Sequence, residues 1–225
     1  MVFENVVQKL EEIIKLENEQ LVLSKSMLEA YEGTIYPFDI LAIGALNRSQ
    51  AQCSGFRTLI AQKNLICAGG ILRFQLDTAL RFFAGFLVSD PHKFAICVLR
   101  GEHIRNMTDH SGNKLTDRYL VNQLSKNYEW VSRVYDATSG YVHLSEKHIF
   151  SAFHFDGGED NNFTAKIAAK DKQIPCELYF EAIDAFSAAT HILFDYVKGW
   201  IFTKNNPEIV RQRATLTGRE IANGN

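Results

Sequence analysis

The sequence predicts a mainly α protein, an up-and-down helical bundle with a small two-stranded β-hairpin inserted before the last long helix. Three observations carry this expectation. Apolar residues recur at helical spacing through most of the chain, the four prolines all stand where a helix would begin, and one segment switches to alternating apolar and polar residues.

Length and composition fit a single domain. At 225 residues the chain is long enough to bury a substantial core, and 46% hydrophobic with 22% charged residues is an ordinary globular composition. It divides into one helical domain over 1–204, with its hairpin at about 148–170, and a polar tail over 205–225.

Residues 2 to about 32 set Phe3, Val6, Val7, Leu10, Ile13, Ile14, Leu21, Met27 and Leu28 among Glu and Lys in the rhythm of an amphipathic helix. Pro37 opens a second helix running to about Gln62; proline suits a first turn because the N–H it lacks would be unpaired there. The third, about Asn64 to Val88, is apolar nearly all round and is expected at the centre. A fourth starts at Pro91 behind Asp90, a good N-cap, and fades near Arg105 ahead of the turn-prone DHSGNK. Thr116 caps a fifth, TDRYLVNQLSKN, and EWVSRVYDATSGYVH forms a sixth. HIFSAFHFDGGEDNNFTAKIAAK alternates on both sides of DGGEDNN, which predicts two antiparallel strands. Such a hairpin is marginal alone and should lie on the bundle. The last helix spans about Pro175 to Phe202, and Asn206-Pro207 opens PEIVRQRATL, a short helix ahead of a fraying GREIANGN.

Charge and cysteine usage exclude several classes. Twenty-four Lys plus Arg against 26 Asp plus Glu leave a net charge of −2, so any RNA binding must rest on a local basic patch. Cys53, Cys67, Cys97 and Cys176 are far apart and lack Cys-x-x-Cys spacing, so they read as reduced, buried small hydrophobes of a cytoplasmic protein. The Glu- and Lys-rich N-terminus is wrong for a signal or transit peptide, and no apolar run approaches the ~20 residues of a membrane span. No cofactor and no metal are expected.

Three clusters carry candidate chemistry, each beside a structural alternative. Arg73, Asp77 and Arg81 form one polar row on the apolar third helix, either a self-paired network or the wall of an anion pocket. Tyr141, His143, Ser145 and His148 fall at the junction after the sixth helix, where a histidine either moves protons or fixes the junction by hydrogen bonds. RNMTDH, residues 105–110, puts Arg105 and His110 five apart, about 140° around a helix. They meet only if the helix breaks or a second copy intervenes; otherwise both face the negative end of a helix dipole. An Arg and a His on one phosphate cleave RNA without metal. The 2′-hydroxyl attacks its own phosphate, His shuttles the proton and Arg steadies the phosphorane.

The combination of ILRFQLDTALRF, Leu115-Thr116-Asp117 opening a helix, VYDATSGYVHLSEKH, a hairpin and a long last helix resembles bacterial proteins within or close to the HEPN-type helical superfamily, over roughly residues 60 to 200. The resemblance implies a helical bundle, frequent dimerisation, and either an RNase of a toxin or phage-defence system or an inactive nucleotide-binding or scaffold module. Arg105-Asn106 with His110 matches the superfamily's Arg-polar-His string. In the subgroup resembled, the characteristic histidine lies in Tyr-Val-His-Leu-Ser, here His143, whose nearest upstream Arg is Arg133.

The leading expectation is therefore a metal-independent endoribonuclease, or its nucleic-acid-binding relic. His143, Arg73 and Asp77 would line one cleft, Arg105 and His110 would be a second candidate pair, and Arg81, Tyr141, Ser145 and Arg133 would contact substrate. The alternatives are a non-catalytic helical interaction module, its N-terminal helix pairing subunits or a partner, and a small nucleotide-binding sensor. RNA or nucleotide and a homodimer are the expected partners, with no membrane.

Overall fold

The computed structural model describes residues 2–155, 163–165, 167–171 and 174–208. The protein is mainly helical. The first helical segment is two: α1 (Phe3–Lys9) and α2 (Glu11–Glu29). Ile13, Leu16, Gln20, Leu23 and Met27 recur every three or four residues and form the buried face of α2. Leu21 and Leu28, expected in that stripe, lie off it and are 62% and 49% exposed. The stripe packs on α3 (Pro37–Ala61) and α9 (Cys176–Asn205) of the same chain, so this apolar face is spent internally rather than held for a second subunit.

Pro37 is the first residue of α3, and the Tyr36 N–H ahead of it donates to Asp39 Oδ2 at 2.8 Å. The central element is α4 (Leu65–Ala84). It packs against α3, α9, α6 (Asp117–Leu124) and α7 (Trp130–Val142), as its all-round apolarity requires. It stops at Ala84, short of the expected Val88, where the N–H groups of Gly85, Phe86 and Leu87 turn back onto carbonyls three residues earlier. Inside the core, Gln75 Nε2 donates to Ser49 Oγ at 2.8 Å and Thr190 Oγ1 at 3.0 Å, linking α3, α4 and α9.

Asp90 caps α5 (Pro91–Leu99), accepting from the His92 and Lys93 N–H groups. This helix ends six residues before Arg105. Gly101, at φ 87°, supplies the left-handed turn, with Glu102 N–H on Cys97 O and Gly101 N–H on Val98 O. Thr116 Oγ1 accepts from the Tyr119 N–H at the start of α6.

The segment expected as a strand from His148 is helical through Ala152: α8 spans Glu146–Ala152. His148 Nδ1 accepts from the Ser145 N–H at 3.2 Å, a cap that starts a helix, and the apolar spacing of this short stretch suits either period. Among the described residues β1 (Phe153–Phe155) and β2 (Phe163–Ala165) pair, antiparallel, with His154 opposite Thr164, besides an isolated bridge between Thr108 and Lys114. The intervening loop and the PEIVRQRATL helix beyond Glu208 lie outside the described residues.

Candidate functional site

The polar row of α4 is tied up by its neighbours. Arg81 Nε donates to Asp77 Oδ1 at 3.2 Å, and a second guanidinium nitrogen pairs with Asp117 on α6. Asp77 also lies 3.8 Å from Arg48 of α3, and the Tyr135 hydroxyl of α7 reaches Asp117 Oδ2 at 3.4 Å. The Arg73 guanidinium stacks 3.8 Å above the Tyr135 ring. Burial, with Asp117 adding to it against the opposing pull of Arg73, holds the Tyr135 phenol above its usual range. Two aspartates and two of the arginines thus neutralise one another, and the network fastens α3, α6 and α7 onto α4.

His143 is not part of it. It is the C-cap of α7, exposed, and its imidazole makes no hydrogen bond among the described residues. Tyr135, which carries Arg73, lies eight residues earlier on α7, about 12 Å along the axis. Among the described residues no hydrogen bond or ion pair joins His143 to Arg73 or Asp77. The rest of the Tyr-Val-His-Leu-Ser motif has local work. Ser145 Oγ donates to Gly140 O at 2.8 Å, closing the α7–α8 junction, while Tyr141 packs its ring on Gly69 of α4.

The RNMTDH stretch is a loop, not a helix end. Arg105 sits exposed in a 3-10 turn, Ile104–Asn106, and makes no ion pair among the described residues. His110 points elsewhere: its backbone N–H and its Nδ1 both bond Leu87 O, at 3.0 and 2.9 Å, clipping the loop to the end of α4. Between them Asp109 is buried and accepts from the Ser111 and Asn113 N–H groups and from the Tyr119 hydroxyl. Nothing joins Arg105 to His110: α5, the helix expected to carry them, ends at Leu99, and His110 sits instead at the C-terminal end of α4.

One concave feature among the described residues is a groove of about 740 Å³ over α4, walled by α7 and α9. Leu65, Gly69 and Leu72 floor it; Trp130, Val134, Ala137 and Tyr141 line one wall; Leu178, Ala182, Ala185 and Ala188 line the other. A Cβ at residue 69 would stand 2.6 Å from the Tyr141 ring, so glycine is what lets that ring lie against α4. Burial keeps the Tyr141 phenol protonated above its usual range. The charges are few and opposed: Arg133 on the α7 wall, Glu181 and Asp184 on the α9 wall. Lys9 of α1 neutralises Asp184 at 2.8 Å, whereas Arg133 and Glu181 have no ion-pair partner among the described residues. Of the residues expected to contact substrate, the groove takes Tyr141 and Arg133; Arg81 and Ser145 are elsewhere.

The chain matches no family model, no curated protein and no solved structure.

Among the described residues no three His, Cys, Asp or Glu side chains gather to hold a metal, and no helix is long and apolar enough to cross a membrane. The chemistry open to the groove is that of contact. It has apolar walls, small residues that admit close approach, and one cation at the rim. Sequence reasoning missed it, although the signal was present as alanines at 182, 185 and 188 on one side of an otherwise bulky helix.

Proposed function

We propose that the chain is a non-catalytic helical interaction module whose groove between α7 and α9 receives an apolar helical segment. The observation that carries this reading is the groove itself: an unfilled apolar slot over the central helix, about 15 Å long from Leu178 to Ala188, one wall paved with alanine. The cations of the α4 row, Arg73 and Arg81, are occupied by Tyr135, Asp77 and Asp117. In this reading the helices form an up-and-down bundle, the protein is cytoplasmic, and it works as a homodimer, as the sequence leads one to expect. The resemblance to HEPN-type proteins then points to the scaffold members of that superfamily rather than the nucleases.

Display of helical peptides against the full chain tests the reading. Selected peptides should carry apolar residues at i, i+3 or i+4, and i+7 and should shift Trp130 emission. Binding should vanish in Ala185→Trp, which fills the slot. RNA cleavage that persists in EDTA, leaves a 2′,3′-cyclic phosphate and is lost in His143→Ala or Arg105→Ala would overturn it in favour of the nuclease.

A further inference from the structure

The chain carries a groove that no described residue fills and an exposed apolar edge. The edge belongs to the arm that leaves α7: Leu144 is 88% exposed and Ile149 is 53% exposed. They stand immediately before the N-cap Ser145 and one turn into α8, so they meet on one side of that helix. Val142 and Leu178, the latter lining the groove, are each 43% exposed as well. Among the described residues α8 packs chiefly on α7 and β1, and Leu144 and Ile149 stay exposed.

We propose that the groove is filled by the α8 arm of a second copy, reciprocally, about a two-fold axis near the α7–α8 junction. This rests on the groove being a docking site and names what docks. The fit is one of size and charge. α8 has seven residues, about 10 Å, against a slot of about 15 Å. The arm carries one acid in its first turn, Glu146, with no ion-pair partner among the described residues, and the α7 wall carries one cation in the same condition, Arg133. Glu181 on the opposite wall repels that acid, so the arm enters with its Glu146 side toward α7 and with Leu144 and Ile149 toward the alanines of α9. A two-fold makes every contact twice, because each copy holds both halves. The groove is complete only when the partner's arm is in it.

Sedimentation of the full chain, with circular dichroism to follow the fold, tests this. The chain should be a dimer, and Leu144→Glu should be monomeric with unchanged helicity, because Leu144 is exposed and outside every helix. Arg133→Glu and Glu146→Arg should each weaken the dimer on the order of tenfold, and the double variant R133E/E146R should restore it. A monomeric wild type overturns the proposal, as does a dimer indifferent to Leu144→Glu or a charge reversal without rescue. If the chain is monomeric yet still binds selected peptides through the groove, this inference fails while the docking reading stands; if neither occurs, both fail.

Discussion

Lys204 Nζ lies 2.8 Å from Asp39 Oδ2, and neither side chain reaches solvent. The same aspartate accepts from Trp200 Nε1 and from the Tyr36 N–H, while Lys204 also donates to Met27 O. One buried pair thus gathers the end of α2, the start of α3 and the end of α9.

Removing one member of such a pair leaves the other charge stranded in the core. Lys204→Met should cost about 3–5 kcal/mol in urea unfolding. Adding Asp39→Asn, which keeps an acceptor for Trp200 while removing the orphaned charge, should recover part of that loss. A cost under about 1 kcal/mol, the range of exposed ion pairs, would show that the pair is solvated.

Gly69 is a contact, not a hinge. Gly69→Ala should destabilise by about 1–3 kcal/mol, because its methyl meets the Tyr141 ring and the packed helix cannot move aside. In a Tyr141→Ala background the same change should be neutral or stabilising, since alanine is the better helix former by about 1 kcal/mol. Additive effects in the double-mutant cycle would contradict the close approach.

Asp109 should govern the acid limb of stability. The Tyr119 hydroxyl first, then Asn113 and the Ser111 N–H, hold its carboxyl well below the usual carboxylate range. A depressed folded value means that the contribution is complete above the unfolded value, about 3.9, and is lost as pH falls toward the folded one. Tyr119→Phe should raise the Asp109 value seen by carbon NMR titration. Asp109→Asn should lower stability near neutrality and flatten its decline below about pH 4; an unchanged acid slope would refute the assignment.

Much of the fold was legible because it rests on local rules. Pro37, Pro91 and Thr116 mark helix starts where the backbone N–H groups need caps or need nothing, and the apolar surround of α4 could only be satisfied at the centre. The strand expected from His148 misread a stretch too short for its period to decide, and the cap at Ser145 tips it to helix. The N-terminal stripe was read correctly as amphipathic, but a pattern says that a face is buried and not against what.

The candidate site was far less legible. Arg73, Asp77 and Arg81 do form one row, as helical spacing requires, yet their partners Arg48, Asp117 and Tyr135 come from three other helices and leave no trace in that spacing. RNMTDH matched a string, but Gly101 ends the helix early and Leu87 O captures His110. Asp39 and Lys204 stand 165 positions apart, each ordinary in its own helix.

The sequence by itself determined the class of fold, the helix starts and the central place of α4, because capping and amphipathic period act over a few residues. Only the tertiary structure decided which charges are satisfied, where a slot is left open, and that Lys204 meets Asp39. Those outcomes depend on helix packing, which brings together residues that no local spacing connects.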